Sequence, residues 1–77
     1  MIQSRTDKIL VRVNGETREI KRSTSLNDLL ARLEIKPETV VLELNREIVN
    51  KDKLKSTYLQ EGDSLEIVHF VGGGAEE

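Results

Sequence analysis

One stretch of this 77-residue chain has a helical period, and the apolar segments on either side of it alternate. Leu26, Leu29, Leu30 and Leu33 fall at i, i+3, i+4 and i+7, the spacing that lines side chains along one stripe of an α-helix. Ser23-Thr24-Ser25 supplies N-cap candidates ahead of the stripe. Asp28 puts a carboxylate in the first turn, where the helix dipole favours it. Pro37 is expected to stop the helix after roughly ten residues, because the residue before a proline is pushed out of the α region. One amphipathic helix cannot bury its stripe alone, so the rest of the chain must supply a sheet for it to lie on.

The strands can be read from their period of two. Ile9-Leu10-Val11-Arg12-Val13 sets Ile9, Val11 and Val13 on one face and Leu10 and Arg12 on the other. Asn14-Gly15 accepts the positive φ angles of a tight hairpin, which leads into a second strand over Thr17 to Lys21. After the helix, Val40 to Leu44 reads as a strand that turns at Asn45-Arg46-Glu47 into Ile48-Val49. Asn50 to Thr57 is polar and reads as a short helical turn or irregular crossing anchored by Leu54; Glu61-Gly62-Asp63 makes a turn. The last strand, Ser64 to Phe70, points Leu65 and Ile67 one way and Glu66, Val68 and Phe70 the other. The order ββαβ, a short element and a final β predicts an α+β fold of the β-grasp, ubiquitin-like kind: a mixed sheet of four to five strands with one main helix on one face. Residues 1–71 form the domain, and residues 72–77 are a tail with no side chain large enough to hold it to a core, so it is expected to be flexible.

Composition limits what such a domain does. Apolar residues make up 36% of the chain, nearly all aliphatic, with Tyr58 and Phe70 the only aromatics, so one small core leaves little room for a catalytic cavity. This argues for a protein that is not itself an enzyme. There is no cysteine, hence no disulfide, no thiolate metal site and no side-chain thiol; any sulfur the protein handles must sit elsewhere. Twelve basic and fourteen acidic residues are interspersed, which disfavours nucleic acid and anionic membrane as partners. Met1 to Lys8 lacks an apolar signal core, and no stretch reaches the ~20 apolar residues of a membrane span, so a cytoplasmic location is expected. His69 is the one histidine, and Asp52, Glu61 and Asp63 read as turn and surface residues; neither a metal site nor a bound cofactor is expected.

Gly72, Gly73 and Gly74 are not a phosphate-binding loop, because no helix follows them. An inert end is one reading. The other follows from position: the last strand runs directly into the glycines and projects them from a rigid body. Without a Cβ, such an end can thread a narrow channel and leave its carbonyl open to a nucleophile. Ordering it costs about 1–2 kcal/mol per residue, which docking of the folded body must offset.

The run Glu66-Ile67-Val68-His69-Phe70-Val71-Gly72-Gly73-Gly74 resembles the C-terminal signature of the ThiS family of sulfur carriers in thiamine biosynthesis. Leu44-Asn45-Arg46-Glu47-Ile48-Val49 and Val13-Asn14-Gly15-Glu16 resemble internal strand-turn segments of that family. The resemblance implies that a ThiF-type adenylating enzyme uses ATP to activate the carboxylate of Gly74, which follows Gly73. A persulfide enzyme then supplies sulfur to make a thiocarboxylate, and the thiazole synthase ThiG accepts it. It also implies docking through an apolar patch on the sheet face away from the helix, at Ile48 and Val68; strand alternation adds Leu10 and Phe70 as outward neighbours. One departure is Ala75-Glu76-Glu77 after the glycines: either a protease removes them before Gly74 is activated, or they are foreign to the natural chain, or this copy does not carry sulfur. A molybdopterin- or cysteine-pathway carrier of the same fold shares the tail chemistry, and a non-conjugating β-grasp binding module would leave the tail inert.

Overall fold

Two hairpins frame the sheet, each closed by a two-residue turn with both residues at positive φ. The first joins β1 (Lys8–Val13) to β2 (Glu16–Lys21) through Asn14 at φ 51° and Gly15 at φ 85°. The second joins β3 (Val40–Leu44) to the short β4 (Glu47–Ile48) through Asn45 at φ 52° and Arg46 at φ 75°. Positive φ at both positions is the geometry whose twist matches that of the flanking strands. Asparagine and glycine adopt it readily, whereas Arg46 does so against its Cβ. The structure, a computed structural model, describes residues 7–70.

Between the hairpins runs β5 (Ser64–His69), giving a five-stranded sheet in the order β2-β1-β5-β3-β4. β5 is parallel to β1, with Arg12 opposite Ser64 and Val13 opposite Leu65, and antiparallel to β3, from Val40 opposite His69 to Leu44 opposite Leu65. The sheet is therefore mixed, with β5 against β1 as its parallel pair.

Helix α1 (Leu26–Arg32) starts at a capping box: Ser25 Oγ accepts from the Asp28 N–H at 3.0 Å, and the Ser25 N–H donates to Asp28 Oδ2 at 3.4 Å. Its end corrects the expectation that Pro37 stops it. The Glu34 N–H donates to the Ala31 carbonyl at 3.1 Å and the Ile35 N–H to the Leu30 carbonyl at 2.9 Å, with Glu34 at φ 60°. These are the two bonds of a Schellman C-cap, so the helix is seven residues long and closes well before the proline. Pro37 instead opens a 3₁₀ turn, Pro37–Thr39, that delivers the chain to β3.

Leu26, Leu29 and Leu30 of α1 are buried against Ile9 and Val11 of β1, Leu42 of β3 and Leu65 of β5. Each such side chain contributes about 1.5–3 kcal/mol by leaving water. The crossing after β4 contains a 3₁₀ turn, Lys51–Lys53, and Leu54 is buried as its anchor; Leu59 is a second anchor. Backbone bonds from the Leu26 N–H to the Thr57 carbonyl and from the Leu59 N–H to the Thr24 carbonyl, both 2.9 Å, tie this crossing to the start of α1. Gly62 at φ 86° then turns the chain into β5. No helix is long and apolar enough to cross a membrane among the described residues. Val71 and the glycines, and with them the expected boundary between domain and tail, lie outside the described residues.

Candidate functional site

The helix covers one face of the sheet, and strand alternation presents every second side chain on the other. On that open face Val41 and Val68 are direct cross-strand partners. Ile48 pairs with Glu43 one step along, which puts it diagonal to Val41. Phe70 extends the β3–β5 ladder past the last strand residue, its N–H donating to the Thr39 carbonyl at 3.0 Å. The Lys51 ammonium lies 5.7 Å from the centroid of the Phe70 ring, within cation–π reach. Ile48, Val68 and Phe70 are 72%, 51% and 55% exposed, although all three are apolar. Beside them Val41, Ile48, Val49, Asn50 and Lys51 line a shallow depression of about 300 Å³.

Three of the four outward positions named from the sequence thus share one apolar patch at the end of β5 from which the tail departs. Leu10 does not join them. It is exposed on the same face, but the parallel register sets it level with Gly62, whose N–H donates to the Leu10 carbonyl at 2.8 Å. Val68 is six residues further along, roughly 20 Å away at ~3.3 Å per residue. Alternation reports the face, whereas register reports the place on it. The same register supplies Val41, which the sequence reading missed because its partner on β5 was not known. His69 sits on the helix side with Leu65 and Ile67, at the open end of the sheet, where it lines a groove with Arg18, Leu33 and Ile35. Gly72, Gly73 and Gly74 lie outside the described residues.

Two asparagines hold β5 in place. Asn45 Oδ1 accepts from the Ser64 N–H at 2.9 Å and its Nδ2 donates to Asp63 Oδ1 at 3.0 Å. Further along, Asn14 Oδ1 accepts from the Ile67 N–H and its Nδ2 donates to the Ile67 carbonyl. The hairpin turns therefore also set the strand that leads to the tail.

One helix across a mixed five-stranded sheet, with an apolar patch on the far face where the last strand ends, defines a β-grasp protein. Its comparisons agree. The sequence model of the ThiS family matches residues 11–74, ending on Gly74. The sulfur carrier protein ThiS of Bacillus subtilis is 38% identical over 66 residues, which cover 84% of this chain and all of that protein. A thiazole synthase from Magnetococcus marinus is 39% identical over 64 residues, covering 83% of this chain; the chain spans only 20% of that protein's length. The crystal structure of a thiamine biosynthesis protein, ThiS, from Geobacter metallireducens superposes with a TM-score of 0.75 at 30% identity, covering 86% of this chain and all of that one. The chain belongs to the ThiS family, the small sulfur carriers of thiamine biosynthesis.

Proposed function

We propose that this chain carries sulfur as a thiocarboxylate on Gly74, at the end of the Gly72-Gly73-Gly74 tail. A ThiF-type enzyme binds the folded body and joins the Gly74 carboxylate to the AMP of ATP, releasing pyrophosphate. The terminal sulfur of an enzyme persulfide attacks the acyl carbon and AMP leaves, giving an acyl disulfide; a thiol then attacks the S–S bond on the donor's sulfur, forming a disulfide with the donor cysteine and releasing the thiocarboxylate. A thiazole synthase of the ThiG type then takes the sulfur, and the carboxylate is regenerated. The carrier contributes no side chain to these steps, in keeping with a sequence that holds no cysteine.

The observation that carries this reading is the end of β5. Its ladder runs through Phe70, whose backbone is pinned to Thr39, so the apolar patch lies beside the residue that precedes the glycines by two positions in the sequence. A partner seated on Val41, Ile48, Val68 and Phe70 would receive the tail directly, and burial of that patch offsets the entropy of ordering the glycines. The family match ends on Gly74, which supports this residue as the acceptor. In the sequence Gly74 is followed by Ala75-Glu76-Glu77, so its carbonyl is in an amide; the reading includes removal of these residues by a protease in the cytoplasm. Occurrence of a similar stretch within thiazole synthases supports that enzyme as the sulfur acceptor's home.

The test is direct. A form ending at Gly74 is incubated with a ThiF-type enzyme, ATP and a persulfide donor, and its intact mass is measured. Replacement of one oxygen by sulfur is expected. A mass unchanged under conditions in which the enzyme consumes ATP with a known carrier rules the reading out.

A further inference from the structure

A tail ending at Gly73 presents the same groups as one ending at Gly74: a glycine carboxylate preceded by glycine. No side chain tells the two apart, so only reach from the folded body does. Phe70 is the last described residue, and two different elements tie it down. Its N–H donates to the Thr39 carbonyl at 3.0 Å. Thr39 is in turn held by the 3₁₀ turn Pro37–Thr39, where its N–H and Oγ1 donate to the Lys36 carbonyl at 3.0 and 2.6 Å. The Phe70 ring faces the Lys51 ammonium at 5.7 Å, and Lys51 opens the 3₁₀ turn Lys51–Lys53, whose C-cap Leu54 is buried in the core. Phe70 is more than half exposed, so burial contributes little to holding it. From this point the four residues to Gly74 span at most about 14 Å, and each adds about 3.5 Å. Misplacing a reacting atom by about 1 Å costs on the order of 100-fold, so a tail one residue short misses the reaction centre.

Resting on the proposed carrier function, we infer that Lys51 is a positioning residue that sets tail-length specificity: its ammonium keeps Phe70 in the ladder and so fixes where the reach of the tail begins. When the pin opens, Phe70 leaves Thr39 and the strand end peels from β3, which lends the tail about one residue of length. A tail of the right length reacts from the pinned state, the one the structure shows. A tail one residue short reacts only from the peeled state, which supplies the missing length. The cation–π contact of an exposed lysine biases that equilibrium by about two- to fivefold. Loss of the cation therefore multiplies the minor, peeled population and hardly alters the major one. The two tail lengths respond differently to the same substitution, which separates positioning from docking. Lys51 is exposed, so the core is untouched by its replacement.

Four forms test this: the chain ending at Gly74 and one lacking a single glycine of the run, each with Lys51 and with Lys51→Gln. Thiocarboxylate formation with a ThiF-type enzyme, ATP and a persulfide donor is measured at saturating carrier, so that kcat is read apart from docking, and amide hydrogen exchange is followed at Phe70. Shortening alone is expected to lower kcat on the order of 100-fold. Lys51→Gln is expected to raise kcat of the shortened form about two- to fivefold and to leave that of the form ending at Gly74 within about twofold. The Phe70 N–H should exchange about two- to fivefold faster while core amides keep their rates. Lys51→Arg, which retains a cation for the ring, should match the unsubstituted chain in every readout. Equal kcat for the two tail lengths, an unchanged or lowered kcat of the shortened Lys51→Gln form, or unchanged exchange at Phe70 overturns the inference and leaves the carrier function standing. Faster exchange throughout the domain makes Lys51 a structural residue and overturns it as well. No thiocarboxylate on the unsubstituted form ending at Gly74, while the same enzyme charges a known carrier, overturns both.

Discussion

Asn14 and Ile67 are bonded as two peptide groups would be: the Ile67 N–H donates to Asn14 Oδ1 at 2.7 Å and Asn14 Nδ2 donates to the Ile67 carbonyl at 3.4 Å. The parallel ladder reaches this point through the Arg12 N–H to the Asp63 carbonyl and the Asn14 N–H to the Leu65 carbonyl, at 2.9 and 2.8 Å. There the backbone of β1 turns away into the hairpin, and the side-chain amide takes over its place beside β5. One residue thereby closes a turn and steadies the strand that leads to the tail.

Asn14→Ala is expected to cost about 2 kcal/mol. It leaves the Ile67 N–H without its acceptor and puts an alanine at a left-handed φ. Asn14→Asp keeps an acceptor oxygen and is expected to lose less than half as much. Urea unfolding followed by circular dichroism measures both; equal losses would show that the acceptor contributes nothing.

Glu34→Gly should stabilise the domain by about 0.5–1 kcal/mol. Glu34 is at φ 60° in the C-cap of α1, a conformation glycine adopts without a Cβ penalty, and the relief exceeds the extra entropy of glycine in the unfolded chain. The expected readout is a higher urea midpoint with an unchanged slope.

Leu30→Ala removes a side chain that is 1% exposed and is expected to cost about 2–5 kcal/mol, a large part of the total for a domain of this size. Ile48→Ala removes one that is 72% exposed and should change stability by less than about 0.5 kcal/mol. Thermal unfolding separates the two, and a large loss for Ile48→Ala would mean the patch belongs to the core.

Docking should follow register and not mere exposure. Val68→Asp is expected to weaken binding to the ThiF-type enzyme at least ~10-fold, whereas Leu10→Asp, on the same face but far along the sheet, should bind within about twofold of the unsubstituted form. Titration by calorimetry decides it. Equal losses at both positions would extend the interface over the whole face.

In the tail, the form ending at Gly74 is expected to accept sulfur and the form ending at Glu77 is not, because an amide offers no carboxylate to activate. Intact mass after incubation with the partner enzymes distinguishes them. Thiocarboxylate on the longer form would move the acceptor to another carboxylate.

Local patterns in the sequence carried most of the fold. Alternation in Ile9 to Val13 and in Ser64 to Phe70, the leucine stripe, Asn14-Gly15 and the Ser25–Asp28 spacing are each settled by interactions within a few residues, so they could be read without knowing what lay across the sheet. The C-cap escaped that reading because Glu34 carries no glycine signal; its left-handed turn is stabilised by Ile35 packing against the core, a contact of the folded domain. Leu59 escaped too, since an isolated leucine in an irregular crossing has no period.

The glycine run, the absence of cysteine and the outward direction of Leu10, Val68 and Phe70 were determined by the order of residues alone, because composition and strand parity need no third dimension, while Ile48 was named through the family resemblance. Which of those residues meet was decided by the tertiary structure. Pairing of β5 with β3 brings Val41 to Val68 and Glu43 to Glu66, while its parallel stagger against β1 leaves Leu10 at the far end. Register is set by hydrogen bonds between strands distant in sequence, and a chain read one residue at a time contains the donors and acceptors but not their partners.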